Sequence, residues 1–234
     1  MRLDKFLAET TGLTRSQAAK VLRQSAVTIN GKIEKSGAAK VSPDDEIYYD
    51  GERLTWVENG QYIMLHKPQG YICSHEDGDH PTIYQFFDYP LSTRLHSAGR
   101  LDVDTTGLVL LTDDGQWSHR ITSPKHHYPK TYLVTLADPV EANYAQACAE
   151  GILLRGEKEP TKPAALEILD DYNVNLTISE GRYHQVKRMF AALGNKVVAL
   201  HRWKIGDVVL DEHLAEGEFR PLTEEEIAYL GGES

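Results

Sequence analysis

The sequence has little of what marks several large classes of protein. Its 234 residues include two cysteines, Cys73 and Cys148, too few and too far apart for a disulfide framework or a structural zinc site. No apolar run approaches the roughly 18 residues that a membrane span needs, and the first residues lack the apolar core of a secretory signal. We therefore expect a cytoplasmic protein without a membrane partner, and a monomer by default.

Motifs for several common chemistries are also missing. There is no Gly-x-Ser-x-Gly, no P-loop and no Gly-x-Gly-x-x-Gly, so nothing indicates serine hydrolysis or a nucleotide cofactor. His119, His126 and His127 lie close together, but no His-Glu-x-x-His motif or cysteine accompanies them. The sequence therefore indicates no metal site.

Charge is distributed unevenly along a chain of ordinary globular composition, with 41% hydrophobic and 26% charged residues. The formal net charge is −10, which by itself argues against a polyanionic partner. Residues 1–41 nevertheless hold eight Lys and Arg against three acids, and residues 182–206 hold six and no acid, whereas residues 207–234 hold nine acids and one arginine. This pattern suits a protein that binds nucleic acid at two places, or one with two solvated basic faces.

Local signals predict a small amino-terminal module. Leu3, Phe6 and Leu7 have helical spacing, and Thr14-Arg-Ser-Gln17 forms a capping box that opens a second helix. Asn30-Gly31 predicts a hairpin, and a second strand pair is expected around residues 47–51. We place the module at residues 1–58, with a boundary at Asn59-Gly60.

The remainder, residues 59–234, predicts a mixed body in which strands predominate. The strands are expected at residues 62–66, 108–112, 131–136 and 174–178. Helices are expected at residues 140–150, at residues 183–193, and after a capping box formed by Thr223 and Glu226. The predicted fold class is α+β.

The segment Gly99-Arg-Leu-Asp-Val-Asp-Thr-Thr-Gly-Leu108 places two carboxylates directly before a predicted buried strand. Such a loop can present a carboxylate at the wall of a cleft. Alternatively, Asp102 or Asp104 caps backbone amides in a hydrogen-bonded turn. The segment alone does not decide between these interpretations.

Two further segments bring basic and aromatic side chains next to predicted strands. In Glu180-Gly-Arg-Tyr-His-Gln-Val-Lys-Arg-Met-Phe190, Lys187 and Arg188 lie within a predicted core-packing helix, where they either meet an anion or form an exposed stripe. In Lys130-Thr-Tyr-Leu133, Tyr132 begins a strand, a place where tyrosine is more often a core or edge residue than a catalytic one.

Together, the three segments resemble the motifs of the RsuA family of ribosomal RNA pseudouridine synthases in order and spacing. The opening Arg2-Leu-Asp-Lys-Phe6 and the Val-x-x-x-Gly-Lys hairpin resemble the S-four-like (alpha-L) RNA-binding domain. The resemblance covers essentially the whole chain. It implies that an S-four-like domain precedes a larger, mainly antiparallel-sheet catalytic domain. It also implies that uridine in RNA is isomerised to pseudouridine without metal or organic cofactor.

The same resemblance implies roles for individual residues. Asp102 matches the nucleophile, whereas Asp104 does not match and is expected to shape the loop. A carboxylate in a water-poor pocket needs a cation beside it to stay ionised, and the resemblance supplies Lys187. Many relatives in the wider superfamily have arginine there, and lysine keeps the charge but not the bidentate fork. Tyr132 matches an active-site tyrosine and is expected to stack on the uracil or move a proton.

Contacts with RNA are expected from the basic patches and the hairpin tip. The second helix and the tip of the hairpin are expected to bind the RNA backbone without selecting sequence. Arg100 is expected to bind phosphate or to fill the space that the extruded base leaves. The residues concerned are Arg2, Arg15, Lys20, Arg23, Asn30, Lys32, Arg100, Arg182 and Arg188.

Residues 117–127 and the short acidic carboxy-terminal stretch resemble the branch of the family that modifies the small subunit. This resemblance implies uridine 516 of 16S ribosomal RNA, in an assembling small subunit, as the target. Two alternatives stay open: a synthase for large-subunit ribosomal RNA, and a non-catalytic RNA-binding assembly factor.

Overall fold

The computed structural model describes the chain in four stretches, which are residues 1–56, 60–76, 78–123 and 128–232. The predicted boundary between residues 58 and 59 lies outside these stretches, as do His126 and His127. The chain divides into two compact units, Met1–Gly60 with Phe87–Leu95, and Gln61–Phe86 with His96–Ser234. Sequence patterns did not indicate that Phe87–Leu95 joins the first unit.

The first unit has helices and strands that share one hydrophobic core. Its elements are α1 (Leu3–Thr11), α2 (Arg15–Arg23), β1 (Val27–Ile29), β2 (Lys32–Ile33), β3 (Ile47–Tyr49), β4 (Glu52–Leu54) and α3 (Leu91–Arg94). The predicted capping box at the start of α2 is confirmed, since the side chains of Thr14 and Gln17 each accept a backbone N–H of the other. Leu3, Phe6 and Leu22 are buried in this core with Val27.

Both predicted hairpins of the first unit are confirmed. The four strands form an antiparallel sheet in the order β2-β1-β3-β4. Asn30 and Gly31 have φ values of 50° and 78°, and Asp50 and Gly51 have φ values of 51° and 83°. Two consecutive residues with positive φ match the right-handed twist of the strands that they join, which explains the preference for Asn-Gly and Asp-Gly.

The second unit is built on a nine-stranded sheet. Its elements are β5 (Tyr62–Lys67), β6 (His96–Ser97), β7 (Thr106–Thr112), α4 (Gly115–Thr122), β8 (Lys130–Leu136), α5 (Tyr144–Glu150), β9 (Ala165–Ile168), β10 (Asn173–Ile178), α6 (Gln185–Ala192), β11 (Val197–Ile205), β12 (Val208–Val209), β13 (Phe219–Pro221) and α7 (Glu224–Gly231), with a 3-10 turn at Ile83–Phe86. The main path of the sheet is β13-β5-β7-β11-β8-β10-β9, while β12 pairs with β11 and β6 with β7.

This sheet is mainly antiparallel, and the predicted α+β class is therefore correct. Among its described pairings, β7 with β11 is the parallel one. At that junction Gly107 has a φ of 109°, and a Cβ atom there would overlap the carbonyl oxygen of Arg202. Glycine is thus required for β11 to approach the start of β7, directly after the loop that carries Asp102.

Two helices of the second unit are shorter than predicted. The helix expected at residues 140–150 begins at Tyr144, and the backbone N–H of Val140 donates to the carbonyl of Asp171. The helix expected at residues 183–193 begins at Gln185, because His184 has a left-handed backbone with a φ of 47°. The capping box at the start of α7 is confirmed.

Several elements were not anticipated from the sequence, among them β11 and α4. The nine-residue β11 lies in the centre of the sheet, within the basic stretch, and α4 follows the strand at residues 108–112. Asp114 caps α4 by accepting the N–H groups of Gln116 and Trp117. Within the described stretches, no helix has both the length and the apolarity to cross a membrane.

Candidate active site

Asp102 lies in the loop that leads into β7, and buried contacts hold the backbone of this loop. The Lys67 side chain is fully buried at the end of β5, and its Nζ donates to the carbonyl oxygen of Thr105 at 2.7 Å. The N–H of Gly70 donates to the carbonyl of Val103, also at 2.7 Å. Burial lowers the pKa of Lys67. Sequence patterns did not identify Lys67, because the loop carbonyls to which it donates lie far along the chain.

A cysteine holds the other end of the same loop. Cys73 is buried, and its Sγ lies 3.5 Å from the backbone nitrogen of Leu101, which donates to it. Burial raises the pKa of the Cys73 thiol, so the sulfur stays protonated at neutral pH. Cys73 is therefore a packing and hydrogen-bonding partner of the loop, in a form unsuited to nucleophilic attack.

Cationic and titratable side chains meet at the carboxylate of Asp102. Lys187 Nζ lies 3.1 Å from Asp102 Oδ2, and His184 Nε2 lies 3.5 Å from the same oxygen. The side chains of Asp102 and Lys187 are 33% and 26% exposed, so the pair is partly withdrawn from water and still reachable. Screening weakens an ion pair at this depth less than one on the surface. The fold thus brings together two residues that are 85 positions apart.

Asp104 has a larger part in the site than the loop-shaping role that was expected of it. Its Oδ1 lies 2.6 Å from Lys187 Nζ, closer than the carboxylate of Asp102. Lys187 is therefore shared between two carboxylates.

The pKa values of two of these groups follow from the arrangement. Partial burial acts to raise the pKa of Asp104, but the hydrogen bond and charge of Lys187 hold it below its ordinary value of 3.8. Partial burial acts to lower the pKa of Lys187, but Asp104 and Asp102 hold it above its ordinary value of 10.5. Both groups are consequently charged at neutral pH.

The turn at residues 180–185, which carries His184, is braced by its own side chains. Gln185 is buried, accepts the N–H of Arg182 at 2.9 Å and donates to Glu180 at 2.9 Å. The guanidinium of Arg182 contacts the same carboxylate at 3.2 Å and donates to the carbonyls of Glu159 and Pro160. This network fixes the segment from which α6 carries Lys187 to Asp102. His184 lay inside a quoted motif, but its place beside Asp102 was not predicted.

Tyr132 lies in β8, opposite Arg202 of β11. It is buried, with 8% of its surface exposed. Successive residues of a strand point to opposite faces, so Tyr132 and Leu133 lie on different sides of the sheet. Among the described contacts, Tyr132 makes no hydrogen bond with Asp102 or Lys187. The structure therefore joins Lys187 to Asp102 directly, and no described hydrogen bond joins Tyr132 to either of them.

A cavity of about 220 Å³ opens beside Lys187. Its lining includes Asp104, Thr106, Leu133 and His201. The side chains of Thr106 and His201 share a hydrogen bond of 2.8 Å, and burial lowers the pKa of His201, which leaves its ring neutral at neutral pH. The sequence contained no signal for His201, because it lies in a strand without a motif. The cavity offers polar groups next to the carboxylate cluster.

The predicted RNA-binding residues fall into two groups. Arg15, Lys20, Arg23 and Lys32 are exposed and form no ion pair within 4.0 Å with a described residue. In the second group, Arg2 pairs with Asp4 at 2.7 Å, and the Asn30 side chain bonds to Asp45 and to the backbone of Glu46.

The three predicted arginines of the second unit also differ from one another. Arg182 holds its own turn, and Arg188 pairs with Glu157 at 3.0 Å. Arg100 is exposed in the Asp102 loop and has no hydrogen bond or ion pair to a described residue. In the described part of the chain, no three His, Cys, Asp or Glu side chains gather as metal ligands would.

Comparisons with known proteins identify two regions of the chain. Residues 61–192 match the family described as RNA pseudouridylate synthase, and residues 1–47 match the S4 domain. A solved structure described as a pseudouridylate synthase is 79% identical, covers 98% of this chain and 99% of its own, and superposes with a TM-score of 0.72.

Two curated relatives carry the name ribosomal small subunit pseudouridine synthase A. The one from Haemophilus influenzae is 80% identical over 98% of this chain and 99% of its own length. The one from Escherichia coli is 58% identical over 97% of this chain and 99% of its own length. Because the family model matches more than half of the residues and these relatives span nearly all of them, the chain belongs to the RNA pseudouridylate synthases and carries an amino-terminal S4 domain.

Proposed function

We propose that this protein converts one uridine of 16S ribosomal RNA to pseudouridine, with Asp102 as the nucleophile. The observation that carries the mechanism is the ion pair of 3.1 Å between Asp102 and Lys187, inside the region that matches the family. The names of the relatives, which span nearly the whole chain, support a target in the small subunit. By resemblance the target is uridine 516, in an assembling subunit.

The reaction exchanges one bond for another without a change in composition. The bond between ribose C1′ and uracil N1 breaks, the base turns, and a bond forms between C1′ and C5. C5 loses a proton and N1 gains one, so the product is an isomer of the substrate. Asp102 attacks either the sugar carbon or the base, and Lys187 holds its carboxylate in place through their ion pair of 3.1 Å.

The glycosidic bond of a folded RNA is hidden, so the uridine must be extruded into a pocket at a cost of a few kcal/mol. Cations that neutralise flanking phosphates offset this cost. Arg15, Lys20, Arg23 and Lys32 of the first unit are exposed and form no ion pair with a described residue, which suits them to this task. We assign residues 1–58 to RNA binding and residues 59–234 to catalysis, in a cytoplasmic monomer.

Tyr132 is proposed to lie against the extruded uracil. The support is its match to the Lys-Thr-Tyr motif and its buried position in β8. A phenol ring there can stack on the base, and its hydroxyl can move a proton.

The decisive experiment measures tritium release from C5-labelled uridine in RNA by wild-type protein and by Asp102→Asn. We expect turnover to fall by at least about a thousandfold, because an amide is a poor nucleophile. Asp104→Asn is the matched control, since it removes a carboxylate from the same loop and we expect it to remain active. Full activity of Asp102→Asn would refute the nucleophile assignment.

The RNA target is tested by mapping pseudouridine in both ribosomal RNAs of a strain that lacks this gene. We expect the loss at uridine 516 alone. A loss confined to large-subunit RNA would identify the other branch of the family. Unchanged modification in both RNAs, together with defective subunits, would identify an assembly factor.

A further inference from the structure

An aromatic stack at the tip of the turn at residues 180–185 has no task in the chemistry described above. Tyr183 is 77% exposed, more than any other large hydrophobic side chain in the described stretches. Its ring stacks on His184 with centroids 3.8 Å apart and an angle of 20° between the planes. One face of the tyrosine is therefore covered by the imidazole, and among the described residues no other ring covers the opposite face.

Hydrogen bonds within the protein hold the backbone that carries the stack. Arg188 Nη1 donates to the carbonyl oxygen of Tyr183 at 3.1 Å, and Arg188 is itself tied to Glu157. His184 has a φ of 47°, a conformation that non-glycine residues rarely adopt without a structural or functional reason. The buried Gln185 closes the turn beneath them. A preorganised aromatic surface loses little conformational entropy when it binds.

The position of the stack relates it to the substrate. His184 Nε2 lies 3.5 Å from the Asp102 carboxylate, so Tyr183 is one ring away from the proposed nucleophile. When a uridine is extruded toward Asp102, the base next to it in the strand loses a stacking partner. The uncovered face of the Tyr183 ring lies near Asp102 and can replace the stacking partner that this base has lost.

We propose that the Tyr183–His184 stack is the platform on which a nucleobase flanking the extruded uridine is bound. This inference rests on the proposed function, because it requires an extruded uridine at Asp102. Every base has a π-face and can stack on a ring. The platform therefore strengthens RNA binding and fixes the position of the flanking base without selecting a sequence. The phenol hydroxyl has no part in it.

The first test compares the kinetics of Tyr183→Ala and Tyr183→Phe on an RNA that carries the target uridine. For Tyr183→Ala we expect KM to rise by roughly fivefold to a hundredfold, the usual effect of removing one base–aromatic stack, while kcat stays near that of the wild type. Tyr183→Phe keeps the ring and should restore KM. Tyr172→Ala is the matched control, because it removes another exposed tyrosine, 45% exposed at the β9–β10 turn. A KM for Tyr183→Ala within twofold of the wild type would overturn the proposal.

The second test removes the flanking base from the RNA, whereas the first removes the Tyr183 ring from the protein. The affinities of wild-type protein and Tyr183→Ala are measured on RNAs with an abasic site on either side of the uridine. At one of these two positions, the difference between the proteins should disappear, since neither can form the stack. If Tyr183→Ala still binds more weakly than the wild type on both abasic RNAs, Tyr183 acts in another way and the proposal is wrong.

A third readout separates this inference from the proposed function. With 2-aminopurine at the flanking position identified by the abasic RNAs, the wild type and Tyr183→Phe should quench its fluorescence and Tyr183→Ala should not. Quenching needs no turnover. Wild-type protein that quenches but forms no pseudouridine would refute the proposed function and show only that a base stacks on Tyr183. Equal quenching by wild type and Tyr183→Ala, with pseudouridine formed, would refute the platform alone.

Discussion

Two parts of the chain are rich in basic residues, the first unit and the stretch at residues 182–204. Their basic side chains have different partners in the structure. Arg15, Lys20 and Arg23 are exposed, without an ion pair among the described residues. In the second stretch, Arg182 and Lys187 are each bound to carboxylates of their own unit. The difference lies in what surrounds each charge.

This contrast indicates two uses of positive charge in one enzyme. Unpaired surface cations release counterions when they meet phosphates, and their contribution falls steeply with salt. Cations that are paired inside the fold hold a carboxylate or a turn in place, and bulk salt screens them less. We therefore expect substitutions in the two regions to change different measurable quantities.

Among substitutions of the basic residues, the largest effect is expected from Lys187→Met. The change removes the cation that lies 3.1 Å from Asp102, so we expect kcat to fall by about a hundredfold to a thousandfold, as when one preorganised electrostatic partner is lost. Lys187→Arg should recover part of the activity because it restores the charge. Single-turnover assays with saturating RNA give the rates.

Lys204→Met is the control for this substitution. Lys204 belongs to the same basic stretch, but it faces Asp207 at 3.7 Å and is distant in sequence from the motif. We expect its kcat to equal that of the wild type. Equal losses in both variants would show that the basic stretch acts by its total charge and would break the comparison.

Arg182→Gln should affect stability more than RNA binding. Its guanidinium contacts Glu180 at 3.2 Å and donates to two backbone carbonyls, and the side chain is 23% exposed. Losing these charge-assisted bonds should lower the free energy of unfolding by about 2 kcal/mol, measured by urea titration. Lys158→Gln, at an exposed position, should change it little. Weaker RNA binding with unchanged stability would return Arg182 to the RNA interface predicted from the sequence.

The combined variant Arg15→Gln, Lys20→Gln and Arg23→Gln should affect RNA binding more than stability. We expect weaker RNA binding and a plot of log affinity against log salt whose slope is shallower by about two to three, because each phosphate that the protein no longer neutralises lowers the slope by nearly one. Stability should change by less than about 0.5 kcal/mol per site, because these side chains are exposed. An unchanged slope would remove them from the interface.

Features of the fold that depend on neighbours in sequence could be predicted, and those that depend on distant strands could not. The capping box at Thr14 and the hairpin at Asn30-Gly31 are local signals, and both are confirmed. The strand β11 is defined by its pairing with β7 and β8, for which its own residues contain no signal. The start of α5 was predicted four residues too early, at residue 140 and not at Tyr144.

The candidate site divides in the same way. Asp102, Tyr132 and Lys187 were named through motifs, and the fold then placed Lys187 beside Asp102. Lys67 and His201 were not named, because their partners are a carbonyl 38 residues away and a hydroxyl 95 residues away. Motifs thus name candidate reacting groups, whereas the groups that hold them appear only in three dimensions.

The smallest effect is expected from Asp104→Asn, and it concerns pH. The pKa of Asp104 is below 3.8, so its ionised form stabilises the fold above that pH and the contribution is lost as the pH falls through the lowered pKa. The pKa of Lys187 is above 10.5, so its contribution is present below that pH and is lost as the pH rises past the raised value.

Because the Asp104 side chain is 52% exposed, solvent screening should keep its contribution within about 0.5 kcal/mol. Urea titrations of the wild type and Asp104→Asn should therefore show a small, constant difference at neutral pH that shrinks below pH 3.8. A wild type that is less stable than Asp104→Asn at neutral pH, and that regains this stability as the pH falls, would mean that the two neighbouring carboxylates repel each other more than Lys187 attracts Asp104. In that case Lys187 would be the partner of Asp102 alone, and the contrast between paired and unpaired cations would rest on Arg182.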